Sequence, residues 1–131
     1  MTPHKQICLA RMPTSHAKTA YSLLSDIARL TLEDPARMRM DQGIGSDDGD
    51  AIYSSWPLCG YVGCIGDWTE VLRRGQARKI LGLNDVQADT LFYGPLVEDS
   101  GQGTYRHARR VVALIQRFQR KYRGQLLATR V

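Results

Sequence analysis

Residues 104–122 read TYRHARRVVALIQRFQRKY. Ala108, Val111, Val112, Ile115 and Phe118 recur at intervals of three and four, the spacing that places side chains along one stripe of an α-helix. Thr104 is suited to cap the helix, which should run to about Tyr122 as the longest of the chain. Arg106, Arg109, Arg110, Arg117, Arg120 and Lys121 fall mostly on the other side. A helix this long with one apolar stripe must bury that stripe against other elements, so it strongly restricts what the rest can be.

The remaining sequence offers helices to meet it. Thr14 or Ser15 is placed to cap a helix through Leu32, with Ala17, Ala20, Leu23, Leu24, Ile27 and Leu30 on one stripe. Pro35 opens a short turn, PARMRM. After Trp56-Pro57 a second long helix is expected over Gly60–Arg74, from Val62, Ile65, Trp68, Val71 and Leu72. GQARKILGL reads as a short helix ended by Gly82. Asn84 with Gln87 forms a capping-box pattern for a helix over Asp85–Tyr93 that turns Val86, Leu91 and Phe92 inward. The expected fold class is therefore all-α: one compact domain of four to five helices, with the Gly60–Arg74 helix at its centre. A short extended segment near 52–54 is its one departure. Residues 1–13 and 125–131 read as flexible ends, and 41–50, DQGIGSDDGD, as an acidic glycine-rich loop.

At 131 residues the chain is one domain's worth and needs no covalent staple. Its apolar runs fall short of the about 18–20 residues of a membrane helix, and the N-terminus lacks a signal peptide's apolar core. Three cysteines, Cys8, Cys59 and Cys64, cannot all pair, which suits reduced thiols in the cytoplasm better than a secreted disulfide framework. The net charge of +5 is unevenly spread. Beyond Asp99 there is no acidic residue, while eight Arg and Lys follow; Asp41, Asp47, Asp48 and Asp50 cluster in the middle. That asymmetry points to an anionic partner, either a protein surface or a nucleic acid, and not to a membrane. A solvated helix face partly neutralised by the acidic loop would look the same.

The densest motif, WPLCGYVGCIGDWT at 56–69, invites several chemistries. Zinc would need Cys59 and Cys64 to converge, with His4 and Cys8 as the other pair. On a helix five residues turn the chain by about 500°, which leaves the thiols about 140° apart. The series Gly60, Gly63, Gly66 matches no phosphate-binding fingerprint, and Asp67 would repel a phosphate. The glycines are better read as sites of close backbone approach. Cys59, just before the expected helix, could act as a nucleophile with His107 as base; these are the candidate catalytic residues of an enzymatic alternative. The acidic loop lacks the register of an EF-hand. No cofactor or metal is expected. QARKILGLNDVQADTLF has the outline of a helix-turn-helix, but Asp85 and Asp89 sit where phosphate contacts would be needed.

CGYVGCIGDW followed by ARKILGLNDVQADTLFYGP resembles a group of small bacterial and phage proteins with a C-G-T-x-x-C-I-A-G-W-like segment and an L-G-L…Q-A-x-x-L-F segment. Cys59, Gly60, Cys64, Ile65, Gly66 and Trp68 match the first pattern. Leu81, Gly82, Leu83, Gln87, Ala88, Leu91 and Phe92 match the second. Tyr61 stands where threonine is usual, and Asp67 is an insertion. The resemblance covers residues 56–95 and implies a helical domain in a phage or mobile-element setting. That group is functionally uncharacterised, so no activity or site residue follows from it.

The functional expectation is a non-catalytic binding protein. Its partner site is Arg106, Arg109, Arg110, Arg117, Arg120 and Lys121 on the last helix. A nucleic-acid-binding module and a cysteine-dependent enzyme are the alternatives.

Overall fold

The computed structural model describes residues 15–41 and 63–131. Among these residues there are six α-helices and no strand. In chain order they are α1 (Ala20–Glu33), α2 (Ile65–Arg73), α3 (Ala77–Ile80), α4 (Asp85–Phe92), α5 (Tyr105–Lys121) and α6 (Arg123–Ala128). Single 3₁₀ turns lie at Pro35–Arg37 and Pro95–Glu98. The all-α expectation holds. The acidic loop beyond Asp41, the segment at 52–54, and residues 1–13, 56, 59 and 60 lie outside the described residues.

The spine is the pair α1 and α5, which share the largest interface in the fold. Leu23, Leu24, Ile27 and Leu30 of α1 are buried together with Val111, Val112, Ile115 and Phe118 of α5, as their spacing predicts. Between them Gln119 is buried, and its Nε2 donates to the Tyr21 carbonyl and to Ser25 Oγ, both at 2.9 Å. A buried amide that finds its partners costs little and fixes the relative register of the two helices.

The expected central helix is shorter and sits to the side of this pair. It begins at Ile65, not Gly60, because Gly63 is held extended against Met38: the Arg39 amide donates to the Gly63 carbonyl (2.9 Å) and the Gly63 amide to the Arg37 carbonyl (3.1 Å). This pairing joins the two described stretches at their break. The Arg37 carbonyl also accepts from Trp68 Nε1 at 2.9 Å, and the Arg37 guanidinium lies 4.9 Å from the Trp68 ring centroid. Trp68 is wholly buried, so it anchors α2 to the turn after α1. Among the described residues no neighbouring helix is the nearest visitor at Gly63. The glycine makes room for its own Asp67, whose Cβ would lie 2.5 Å from a Cβ at position 63. Asp67 Oδ2 in turn accepts from the Cys64 amide at 3.2 Å and so closes the start of α2.

Smaller shifts have equally local causes. α1 starts at Ala20 with Thr19 as its cap, five or four residues beyond Thr14 or Ser15, because the C-terminal residues pair with the extended Lys18–Thr19 stretch. The Ala20 amide donates to the Thr129 carbonyl (2.8 Å) and the Val131 amide to the Lys18 carbonyl (3.1 Å). The segment 125–131, expected as a flexible end, is thereby placed: most of it belongs to α6, and Leu126 is fully buried. Gly82 ends the α3 turn with φ 67°, a left-handed conformation that favours glycine. The Asn84–Gln87 capping box forms. It starts α4 so that Gln87, Ala88, Leu91 and Phe92 face inward, and Val86, expected inside, is 70% exposed. The slot beside α6 is filled instead by the Gln87 and Gln125 amides, which bond to each other at 2.8 and 3.0 Å.

If the tail is part of the core, Leu126→Ala should lower unfolding free energy by about 2–5 kcal/mol in urea titrations. A loss within about 0.5 kcal/mol, the range of surface substitutions, would show that α6 adds nothing to the core.

Candidate functional site

The rotation of α5 is set by what it buries. His107, Ala108, Val111, Val112, Leu114, Ile115, Phe118 and Gln119 are all buried. At about 100° per residue these positions share one arc of the helix, and the opposite arc is left to solvent. Arg106, Arg109, Arg110, Arg117, Arg120 and Lys121 are all exposed on that arc. Ala113 lies in their midst. No carboxylate occurs anywhere in α5. Arg106, Arg110, Arg117 and Lys121 form one row of about 22 Å, and Arg109 and Arg120 flank it. Arg123 and Arg130 are exposed just beyond it. The sequence reading therefore places these six residues together on one face, as the helical spacing requires.

Among the described residues one acidic group reaches the row. Asp99 Oδ2 accepts from Arg110 NH1 at 3.2 Å, and its Oδ1 accepts from the Gly101 amide at 3.1 Å. Those two contacts, the amide first, hold the Asp99 carboxyl below the usual carboxylate range. Asp41 pairs instead with Arg39 at 2.8 Å. Thr104 caps the helix, accepting from the His107 amide at 3.2 Å.

Two hollows border the cationic face. A shallow one of about 430 Å³ lies among Tyr105, Arg106, Arg109 and Arg110. The second is a cleft of about 500 Å³ between the C-terminal half of α5 and the corner where α4 ends. Leu114 and Phe118 make its floor and Tyr122 one wall, with the Phe118 and Tyr122 rings 4.8 Å apart and tilted by 55°. Gly94, Pro95 and Thr90 make the other wall, and Arg117 and Lys121 stand at its rim. Sequence reasoning missed this cleft. It left Leu114 outside the apolar stripe. Leu114 at the edge of that stripe was the available signal.

The helix-turn-helix outline does not present a recognition surface. α3 is a single turn, Gln87 of α4 faces inward, and the outer side of α4 carries the exposed Asp85 and Asp89.

Of the enzymatic alternative, Cys59 lies outside the described residues. His107 is fully buried, and neither ring nitrogen makes a hydrogen bond among the described residues. Leu96 offers its carbonyl nearby, short of a hydrogen bond, and that oxygen is taken by Gln102 Nε2 at 2.7 Å. Burial pushes the His107 pKa below its ordinary value, against the pull of Asp99, the Leu96 carbonyl and Asp41 and with the help of Arg110. Cys64 is buried at the start of α2, where burial and then the Asp67 charge push its thiol pKa far up, so it stays a protonated, unreactive thiol at neutral pH. Among the described residues no three His, Cys, Asp or Glu side chains are grouped to hold a metal ion, and no helix is long and apolar enough to cross a membrane.

Fold and face together define an all-α domain with a polycationic helix surface. Set against protein-family models, curated proteins and solved structures, the chain matches none of them.

The buried, neutral His107 should make folding sensitive to mild acid. Its folded pKa lies below the unfolded value of about 6.5, so the unfolded chain takes up a proton that the folded chain refuses. This contribution to stability is intact above about pH 6.5 and is lost as pH falls from there toward the depressed folded value. Melting temperature should therefore drop between pH 7 and pH 5, and His107→Leu should flatten that slope. An equal slope in both proteins would contradict the assignment.

Proposed function

We propose that this protein is a non-catalytic binding module that engages an anionic partner through the exposed face of α5. The observation that carries the reading is the sign and placement of the charge. Six cations lie exposed on one face of a rigid 17-residue helix that contains no carboxylate. Such a surface attracts polyanions and speeds their capture, with a strong dependence on salt. Five of the six are arginine, whose planar forks bind phosphate or carboxylate oxygens in pairs.

Binding to an immobilised polyanion tests this directly. The protein should be retained on heparin at low salt. Reversing Arg109, Arg110 and Arg117 to glutamate should abolish retention while leaving the thermal transition nearly in place, since exposed substitutions usually shift stability by about 0.5 kcal/mol or less each. Equal retention of the reversed protein would sink the reading, as would a wild-type protein that flows through at low salt.

A further inference from the structure

We infer that the cleft beside the cationic face takes an unpaired base, so that the partner is a single-stranded nucleic acid. This rests on the α5 reading above and adds the chemistry of the cleft. Protein partners usually meet a patch with an apolar or aromatic centre and a charged rim. The α5 face lacks such an anchor: its centre is only the small Ala113, cations surround it, and Tyr105 and Gln116 lie at its edge. A phosphate backbone repeats its charge at a fixed interval and can meet every cation along a row of about 22 Å.

The apolar surface lies at one end of that row, and it is concave. Tyr122 offers ring surface there, backed by the buried Phe118 ring, and Pro95 also lines the cleft. Arg117 and Lys121 belong both to the cleft rim and to the cationic row. A ligand that fills the cleft must therefore carry a flat apolar body within reach of its own negative charge, as a nucleotide does. Lys121 Nζ lies over the Tyr122 ring, 5.4 Å from its centroid, so a base stacking on that face takes the place of the ammonium, which is then free to meet the phosphate. Across the cleft, Asp89 repels phosphate from the α4 rim and offers an acceptor to a base's N–H group, such as N3–H of thymine. The polarity thus sets the backbone along α5 and the base edge toward α4. A paired base is locked within its duplex and cannot enter, so the strand must be single.

Fluorescence anisotropy with three labelled probes tests the assignment: oligothymidylate, an abasic strand of the same length and charge, and a duplex. The wild-type protein should bind oligothymidylate about tenfold more tightly than the abasic strand, the effect of one stacked base. Thr90→Trp adds bulk at an exposed position of the cleft wall. It should erase that preference without changing abasic-strand binding, duplex binding or the heparin elution position. Equal affinity for the two single strands would overturn the base site and leave the polyanion reading standing. Retention on heparin with no binding of any strand would overturn the nucleic-acid assignment alone. Failure on heparin would remove both. The wild-type comparison needs no variant, so a Thr90→Trp protein that fails to melt cooperatively does not spare the proposal.

Discussion

The packing of α1 against α5 is the constraint on which the rest depends. Each helix has a single apolar arc, and each supplies what the other must bury. Hydrophobic packing alone is tolerant of small rotations, because it is not directional. Gln119 removes that tolerance: its buried amide reaches both the Tyr21 carbonyl and Ser25 Oγ, and a rotated α5 would leave that amide buried without these partners. Once α5 is fixed in rotation, the direction of every arginine on it follows. The cationic face is thus a consequence of the core and not a separate feature added to it.

That dependence explains why the face was legible in the sequence. The α5 stripe, its Thr104 cap, its length and its exposed cations all follow from a 3.6-residue period, a local property that needs no knowledge of neighbours. The Asn84–Gln87 capping box is local in the same sense. Where the outcome depended on a distant partner, the reading slipped. Thr19 caps α1 instead of Thr14 or Ser15 because Thr129 and Val131, more than a hundred positions away, pair with Ala20 and Lys18 on either side of it. Val86 is exposed because Gln125 of α6 claims Gln87. The cleft is invisible from sequence for the same reason, since its walls come from α4, the Pro95 turn and α5.

The glycine- and cysteine-rich stretch shows the converse. Its spacing suggested close approach by another element, and a close approach does occur at Gly63, but the visitor is Asp67 of the same segment. Asp67 looked like an obstacle to anion binding. In the fold it satisfies the Cys64 amide at the start of α2 and is itself buried. A residue judged by what it would repel proved to be defined by what it caps. The same turn of chain leaves Cys64 inaccessible, so within the described residues the motif serves the placement of Trp68 and not chemistry at sulfur.

What separates a binding face from an idle one is whether its charge is compensated. An exposed helix that serves only solubility commonly mixes signs, and pairs of opposite charge four residues apart add about 0.2–0.5 kcal/mol each. On α1 this happens: Arg29 lies 3.1 Å from Glu33 and 3.8 Å from Asp26. On α5 the neighbours at such spacings are like-charged, as in Arg106 with Arg110 and Arg117 with Lys121, and each such pair costs a similar amount. Among the described residues only Asp99 relieves any of it, at Arg110. The helix tolerates this repulsion because its buried arc, and not its surface, holds it in place. Among the described residues α1 is compensated and α5, apart from Arg110, is not, which leaves an electrostatic deficit on one side. A polyanion would remove that deficit on contact, which makes the repulsion within the free protein a favourable contribution to binding.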